Sequence, residues 1–389
     1  MTLLAAPRRL DLTLLLPVAA LVTLGLVMVY SSSAVLAADR FHSQTFFLER
    51  QAVRLGIGLV LMLALSRVDY HVYQRLGPWL LLASVLLLAV LLATKGGVRG
   101  ANRWIQVASV TIQPTELARF ACVLYLAKLL DRKGERITSF GDGVLPAALV
   151  LGALAALILR QPNLGSTIAL LLTGIGMLHL AGARHRHIGA IALGAALVAV
   201  LIIIANGYMR ARVTGWLGHL GTGAGDTQGR GWQLRQSIVA LGSGGLTGTG
   251  PGKGIQKFFF LPDPHTDFIY AVVGEELGLI GTTAVLAAYL VLVLRGLKIA
   301  ARAPDRFGYL LAAGLTLNLA VYAGLNIGVA TGLLPTTGLP LPFLSYGGSA
   351  LVTNLGVVGV LLNVARQMET GIRTSPAPGG ATRRRPGAR

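Results

Sequence analysis

About ten stretches of roughly 20 apolar residues dominate this 389-residue chain. They lie near residues 11–32, 51–66, 77–94, 111–130, 143–160, 164–182, 188–205, 267–294, 307–332 and 347–366. Each is long enough to cross a bilayer as an α-helix, and the mean hydropathy of +0.68 is above that of a soluble domain. The sequence therefore predicts an all-α, polytopic integral membrane protein with about ten transmembrane helices.

The chain is predicted to form one membrane domain over residues 1–370. No repeat of 20–50 residues divides it, and the apolar core of the first stretch is longer than that of a signal peptide. Residues 371–389 are rich in Pro, Gly and Ala and contain the basic run Arg383–Arg385. We expect this tail to be disordered and to lie near anionic lipid.

Lysine and arginine are concentrated in alternate short loops, which predicts the orientation. Arg132 and Lys133 follow the fourth stretch, and Arg295 and Lys298 follow the eighth. By the positive-inside rule both termini are cytoplasmic, and residues 206–266 form a long extracytoplasmic loop between helices 7 and 8. The net charge of +19 is spread over many loops, so nucleic-acid binding is not predicted.

Four ionisable residues lie at the start of the eighth apolar stretch and within it: His265, Asp267, Glu275 and Glu276. Ionisable groups at membrane depth are costly and are functional candidates. In a continuous helix Glu276 would lie about 180° around from Asp267 and roughly 13 Å along the axis, so the two would not form a close pair. Asp267 is predicted to be a single carboxylate that activates a hydroxyl, whereas Glu275 and Glu276 are predicted to be structural. His265 either orients Asp267 or is an exposed loop histidine.

A second charged segment contains Glu116 and Arg119, which share one helical face. Two interpretations are open. The residues form a structural ion pair, or Arg119 lines an outward cavity for an anionic headgroup together with Arg103 and Trp104.

The long loop contains a glycine-rich run, 242–252, followed by Lys253. Such a run with lysines can cradle phosphate, and it also occurs in ordinary loops. The last outer loop, 332–349, contains three prolines and several glycines, which predicts a broken element beside a wet cavity, with Ser345 as a neutral hydrogen-bonding group. No metal-ligand spacing occurs, so no cofactor is predicted, and participation of a divalent cation stays open.

Several motifs together resemble the SEDS family of bacterial cell-wall proteins, which includes RodA and FtsW. The resemblance covers nearly the whole chain. The motifs are Arg103-Trp-Ile with Gln113-Pro-Thr-Glu116, Arg160-Gln-Pro-Asn-Leu-Gly-Ser166, Ala240-Leu-Gly-Ser-Gly-Gly-Leu246, Leu261-Pro-Asp-Pro-His-Thr-Asp-Phe268, Gly274-Glu-Glu-Leu-Gly278, and the run from Leu334 to Ser349. The Pro-Thr-Thr-Gly run and the Gln256–Pro262 stretch are more similar to FtsW, which acts in division, than to RodA, which acts in elongation.

The resemblance implies a ten-helix peptidoglycan glycosyltransferase at the outer face of the bacterial cytoplasmic membrane. It would polymerise lipid II, using a chain linked to undecaprenyl diphosphate, and would work with a class B penicillin-binding protein as transpeptidase. The family's essential aspartate falls on Asp267, which would act as the general base in an inverting displacement. Arg119, Arg103 and one of Lys253 or Arg210 would stabilise the leaving diphosphate. The predicted substrate-binding residues are Arg103, Trp104, Glu116, Arg119, Arg210, Lys253, His265 and Ser345.

Two residues of this chain, Arg119 and Asn163, differ from the family pattern. Many relatives have lysine at position 119 and aspartate at position 163. With Asn163 in this chain, a catalytic carboxylate at that position is not possible. The alternative function is a transporter of lipid II, which would also use buried charge and broken helices. A carrier needs polar groups that continue to the cytoplasmic half, whereas here the ionisable residues crowd outward, which favours catalysis.

Overall fold

A computed structural model describes residues 11–93, 103–107, 110–222, 231–258 and 260–374. These residues contain twelve α-helices and one short antiparallel hairpin. The helices are α1 (Leu12–Phe41), α2 (Phe46–Arg67), α3 (Tyr70–Ala93), α4 (Pro114–Lys133), α5 (Leu145–Leu159), α6 (Leu164–Leu180), α7 (His185–Ala205), α8 (Gly207–Thr222), α9 (Trp232–Ser243), α10 (Ile269–Ala301), α11 (Arg306–Ala330) and α12 (Gly348–Thr374). The hairpin strands, β1 (Ile105–Val107) and β2 (Val110–Ile112), precede α4. A 3₁₀ turn (Gly134–Thr138) and a π turn (Phe140–Val144) connect α4 to α5.

Each of the ten predicted apolar stretches coincides with a helix, α1 to α7 and α10 to α12. Seven of the described helical segments are long and apolar enough to span a bilayer. The exceptions are α6, which has only 17 residues, and α2 and α4, which carry several charges. The prediction of a helical, multi-pass membrane protein is confirmed, and the count of ten spans stays a prediction.

The helices form a bundle in which α11 and α12 are the most enclosed. The closest pairings join α2 to α12, α3 to α4, α10 to α11 and α1 to α10. Most residues of α11 and α12 are buried, because each contacts several other helices. By contrast α7 has no buried residue and packs against α6 and α8, so it lies at the edge of the bundle.

The two ends of the helix bundle have different sets of polar groups. At one end the Tyr70 hydroxyl donates to Asp305 Oδ2 at 2.6 Å, and Asp305 caps the start of α11. At the other end of α11 lie the Thr331 cap and the loop to α12. The 25 residues of α11 separate these ends by roughly 37 Å. Asp305, together with His71 and Asp69 beside it, is therefore far from Asp267.

The segment 206–266 is more ordered than a simple loop. It contains α8 and α9, and its residues 223–230 and 259 lie outside the described residues. At the carboxyl end α12 continues to Thr374, past the predicted boundary at 370. The rest of the predicted tail, 375–389, also lies outside the described residues.

The segment from Asp267 is not one continuous helix in the structure. The helix starts at Ile269, and it is broken at Gly278, whose φ of 65° and ψ of −160° are not helical. The glycine-rich run supplies the hydrogen bonds that the break removes. Thr249 N donates to Glu275 O at 2.9 Å, and Leu279 N donates to Gly245 O at 2.9 Å. Gly278 is required here because its positive φ is strained for any residue with a β-carbon.

Candidate functional site

Asp267 lies in the short loop that leads into α10, and three contacts fix the backbone of this loop. Asn326 Nδ2 on α11 donates to the Asp267 carbonyl at 2.9 Å. The Ser345 hydroxyl donates to Thr266 O at 2.5 Å, and Tyr346 N donates to His265 O at 2.8 Å. The loop is thus held between α11 and the segment that precedes α12, so the Asp267 carboxylate is positioned by groups from distant parts of the chain.

Gly338 and Arg212 lie against the Asp267 side chain, and the charge of Arg103 acts on it. A β-carbon at Gly338 would lie 3.5 Å from Asp267 Oδ2 and 3.9 Å from Arg212 Nη1, so Gly338 lies against both groups. Arg212 Nη1 also donates to Thr336 O at 3.0 Å. Arg103 is close enough for its charge to act on Asp267. A partly buried carboxylate therefore lies close to Arg212 and within the electrostatic range of Arg103.

Burial raises the pKa of Asp267 to about 6, because the ionised carboxylate loses hydration. The negative charge of Asp263 raises the pKa further, while Arg212, Arg103 and the Thr266 hydroxyl oppose the shift. A carboxylate with this pKa is mostly ionised at pH 7 and is a stronger base than an ordinary aspartate. This is the property required of a general base near neutral pH.

The predicted binding residues before α4 lie at the same end as Asp267. Arg103 is partly buried and donates from Nε to Gln161 O at 2.9 Å and from Nη2 to Pro162 O at 2.5 Å. Trp104 is exposed. Arg103 thus connects the segment before the hairpin to the start of α6 while its charge acts on Asp267.

His265 is not the exposed loop histidine that one interpretation predicted. Its exposed fraction is 6%, and its ring lies between Phe47, at 4.7 Å, and Tyr346, at 5.6 Å between ring centroids. Burial lowers the pKa of His265 to about 4, so the ring is neutral at pH 7. The His265 ring therefore packs the loop before α10 against Phe47 and Tyr346.

Glu116 and Arg119 form a buried ion pair, with 2.7 Å between Glu116 Oε2 and Arg119 Nη2. The guanidinium also donates to Asn318 Oδ1 at 2.8 Å and to Asn354 Oδ1 at 2.5 Å, and it lies over the Tyr322 ring. These contacts join α4 to α11 and α12. The exposed fraction of Arg119 is 1%, so the interpretation that Arg119 faces an open outward cavity is wrong for this structure.

The glycine-rich run and the residues that directly follow it, 253–257, bind two carboxylates of the protein itself. Glu275 Oε1 accepts hydrogen bonds from Ile255 N at 2.6 Å and Gln256 N at 3.1 Å. Glu276 accepts from Gly252 N at 2.9 Å and from Lys257 Nζ at 2.7 Å. These contacts agree with the structural role predicted for both glutamates. The N–H groups of Gly248, Thr249, Gly250 and Gly252 all donate to acceptors of the protein itself, so they are not free for a phosphate.

Two of the predicted cationic residues do not contact Asp267. Lys253 is exposed and lies over Gly250, within the glycine-rich run. Arg210 is exposed on α8, whereas Arg212 of the same helix faces Asp267. Arg212 was not predicted from the sequence. Side chains two residues apart on a helix point about 200° apart, and only the packing of α8 decides whether Arg210 or Arg212 faces inward.

Buried polar groups without partners lie near Arg103 and Gly338. Both side-chain polar atoms of Gln161 are buried and have no hydrogen-bond partner, and the Thr337 hydroxyl is in the same state. Asn163 caps α6, with Oδ1 accepting from Ser166 N at 3.3 Å. Unpaired buried polar atoms are unusual and mark places where water or a polar ligand binds. Among the described residues, no group of three or more His, Cys, Asp or Glu side chains is arranged to hold a metal ion.

Comparison with known proteins gives consistent matches over most of the chain. Residues 12–370 match the family model of the FtsW, RodA and SpoVE proteins, described as cell cycle protein. The probable peptidoglycan glycosyltransferase FtsW of Geobacter metallireducens is 43% identical over 364 residues, covering 93% of this chain and 96% of the relative. Stage V sporulation protein E of Bacillus subtilis is 42% identical over 358 residues, covering 92% of this chain and 97% of that protein.

Solved structures match the fold as well. A chain from a structure described as a peptidoglycan synthase complex that coordinates polymerization and crosslinking aligns with a TM-score of 0.75 and 30% identity, covering 92% of this chain and 98% of that chain. The rod shape determining protein RodA of Thermus thermophilus aligns with a TM-score of 0.69 and 29% identity, covering 92% of this chain and 97% of that one.

Proposed function

This chain belongs to the FtsW, RodA and SpoVE family of cell cycle proteins, and we propose that it polymerises lipid II with Asp267 as the general base. Its activity is that of a peptidoglycan glycosyltransferase. The observation that carries the proposed mechanism is the position of Asp267, partly buried beside Arg212 and Arg103 with a pKa raised to about 6.

The protein works in the bacterial cytoplasmic membrane with both termini in the cytoplasm and Asp267 on the extracytoplasmic side. The distribution of lysine and arginine over the loops supports this orientation. Asp267 lies two residues before α10, at the same end of the bundle as Arg103, Thr336 and Ser345. Lipid-linked substrates embedded in the outer leaflet would reach this end directly.

In the reaction, Asp267 takes the proton from the 4-hydroxyl of the N-acetylglucosamine of lipid II. The hydroxyl oxygen forms a bond to the anomeric carbon of the growing chain, and the bond from that carbon to the diphosphate oxygen breaks. The electron pair leaves with undecaprenyl diphosphate, and the configuration at the sugar is inverted. Burial of Asp267 favours this step, because a carboxylate with a raised pKa accepts a proton more readily.

The leaving diphosphate gains negative charge as this bond breaks, and nearby cations would stabilise it. Arg212 and Arg103 are the described cations whose charges act on Asp267. Arg103 is held by the carbonyls of Gln161 and Pro162, so its charge is placed before the substrate arrives. Arg119 is buried in its ion pair and would act only by positioning α4.

A class B penicillin-binding protein is the partner we propose, since it would crosslink the strands that this chain makes. The similar structure described as a peptidoglycan synthase complex supports a partner of this kind.

The test uses the full-length chain purified with its transpeptidase partner and supplied with labelled lipid II. The native chain should give a ladder of glycan strands, and Asp267→Asn should give none. Asp263→Asn is the matched control, because it removes a carboxylate four residues away and should keep the ladder at pH 7.5. Equal ladders from native chain and Asp267→Asn would refute the mechanism. Loss of ladders in every sample with lipid II translocation intact would favour a transporter.

A further inference from the structure

Gln161, just before α6, has a buried side-chain amide whose hydrogen bonds are not made. Its exposed fraction is 2%. Among the described residues neither Oε1 nor Nε2 has a partner, although the Gln161 carbonyl accepts from Arg103 Nε at 2.9 Å. A buried amide without partners loses its hydration and gains no hydrogen bond in return. Such an amide is explained when a polar ligand or water completes its hydrogen bonds.

Two further polar atoms in the same state lie on neighbouring segments. The Thr337 hydroxyl and Asn326 Oδ1 are buried, and neither has a partner in the described part of the chain. Asn326 Nδ2 donates to the Asp267 carbonyl at 2.9 Å, and Gly338, which follows Thr337, lies against Asp267 Oδ2. The start of α6 contacts the same segment, because a β-carbon at Gly165 would lie 2.8 Å from Thr337 Cβ. Unpaired polar atoms from three segments therefore gather around the candidate base.

These unpaired atoms are neutral, and together they include both donors and acceptors. The Gln161 amide has N–H donors and a carbonyl acceptor, the Thr337 hydroxyl donates or accepts, and Asn326 Oδ1 accepts. A diphosphate has only acceptors and would leave the carbonyl oxygens unpaired. An acetamido group has an N–H donor and a carbonyl acceptor, so it satisfies both kinds of atom. The set therefore matches a neutral ligand group that donates and accepts.

We propose that Gln161 and Thr337 bind the 2-acetamido group of the N-acetylglucosamine whose 4-hydroxyl meets Asp267, and so select an amino sugar as the acceptor. This assignment rests on the proposed function and deepens it. The hydroxyl and the acetamido group belong to one sugar ring, so an acetamido group held beside the base also orients the hydroxyl toward it. Gln161 and Thr337 determine specificity and take no part in the proton transfer. A sugar without the acetamido group is rejected because it leaves their polar atoms unpaired.

The experiment compares the binding of two lipids to the full-length chain in nanodiscs of phosphatidylcholine. One is lipid II, and the other is the same lipid with a hydroxyl in place of the 2-acetamido group on its N-acetylglucosamine. Every chain carries Asp267→Asn, so that neither lipid is consumed. This chain should bind lipid II at least about tenfold more tightly than the analogue. Adding Gln161→Met should reduce the ratio of the two affinities to about twofold or less, chiefly by weakening the binding of lipid II.

The affinity ratio separates a binding role from a structural one. If Gln161 is structural, Gln161→Met weakens both lipids equally and the ratio is unchanged, which would overturn the proposal. Gln256→Met is the matched control, because Gln256 also has a buried Oε1 without a described partner while its backbone N–H binds Glu275. Gln256→Met should keep the tenfold ratio.

The Thr337 variants keep the proposal testable should Gln161→Met fail to fold. Thr337→Val removes the hydroxyl at nearly constant size and should lower the affinity ratio several-fold. Thr337→Ser keeps the hydroxyl and should keep the ratio. Equal ratios in Thr337→Val and Thr337→Ser would refute the proposal.

Binding selectivity and glycan synthesis are separate measurements, so the acetamido site and the proposed function fail in different ways. Glycan ladders from chains with the native Asp267 test the polymerase. A preference for lipid II that depends on Gln161, without ladders from the native chain, would support the acetamido site and contradict the polymerase. Ladders from the native chain, with equal binding of lipid II and the analogue, would overturn the acetamido site and leave the polymerase in place.

Discussion

Lys257 Nζ lies 2.7 Å from Glu276 Oε1, and both side chains are almost completely buried. Lys257 also donates to the Ser31 hydroxyl at 2.9 Å and to Gly252 O at 2.7 Å. The ion pair therefore joins α1, the glycine-rich run and the first turns of α10. Because those turns begin two residues after Asp267, the pair belongs to the framework that holds the candidate base.

Removing one member of this ion pair should destabilise the protein strongly. Lys257→Met leaves Glu276 buried without its cation, and Glu276→Gln leaves the ammonium without its anion. A buried pair broken in this way costs about 3–5 kcal/mol. Thermal unfolding of the full-length chain in detergent measures the change. The double variant should cost less than the sum of the two single changes, because neither charge is left alone.

Lys253→Met is the matched control for this prediction. Lys253 directly follows the glycine-rich run and is exposed, so its loss should change stability by no more than about 0.5 kcal/mol. A similar destabilisation in Lys253→Met and Lys257→Met would mean that the run depends on general charge and not on the buried pair.

Neutralising Asp267 should stabilise the chain at pH 7. The pKa of Asp267 is raised from 3.8 to about 6, so the folded state binds the proton more tightly than the unfolded state. The ionised carboxylate therefore weakens folding as pH rises from about 4 to 6, and the loss stays constant above that range. Asp267→Asn should recover on the order of 3 kcal/mol. Unfolding midpoints at pH 4.5 and pH 7.5 measure it, and a gain of equal size at both pH values would contradict the assignment.

The polymerisation rate should fall as the pH is lowered, with a midpoint (the acid limb) near pH 6, because the general base must be ionised. Asp263→Asn removes a negative charge that raises the pKa of Asp267, so the limb should move to lower pH. Arg212→Gln removes a positive charge that lowers the pKa, so the limb should move to higher pH and the maximal rate should fall. Initial rates of polymerisation between pH 4.5 and 8.5 check both shifts. Movement of both variants in one direction would show that another group titrates.

Asp267 could be selected as a candidate from the sequence because a carboxylate at the edge of an apolar segment has a cost that only function or pairing explains. The helices could also be predicted from the sequence, because each apolar stretch is longer than a turn or a β-strand normally is. The break at Gly278 was not predicted, because the hydrogen bonds that replace the helix come from residues 245–250. Arg212 was missed for a related reason, since its direction depends on how α8 packs over the 332–338 segment.

Asn163, where the family resemblance led us to expect an aspartate, caps α6. Oδ1 accepts from Ser166 N at 3.3 Å, and the residue is 5% exposed. An aspartate oxygen caps a helix as well as an asparagine oxygen does, so Asn163→Asp should change stability by less than about 1 kcal/mol and the polymerisation rate by less than about threefold. Asn163→Ala should lower stability by about 1 kcal/mol, because the cap is lost. Unfolding midpoints and glycan ladders from the same preparations test both variants. A tenfold rate increase in Asn163→Asp would show instead that a carboxylate at this position takes part in the chemistry.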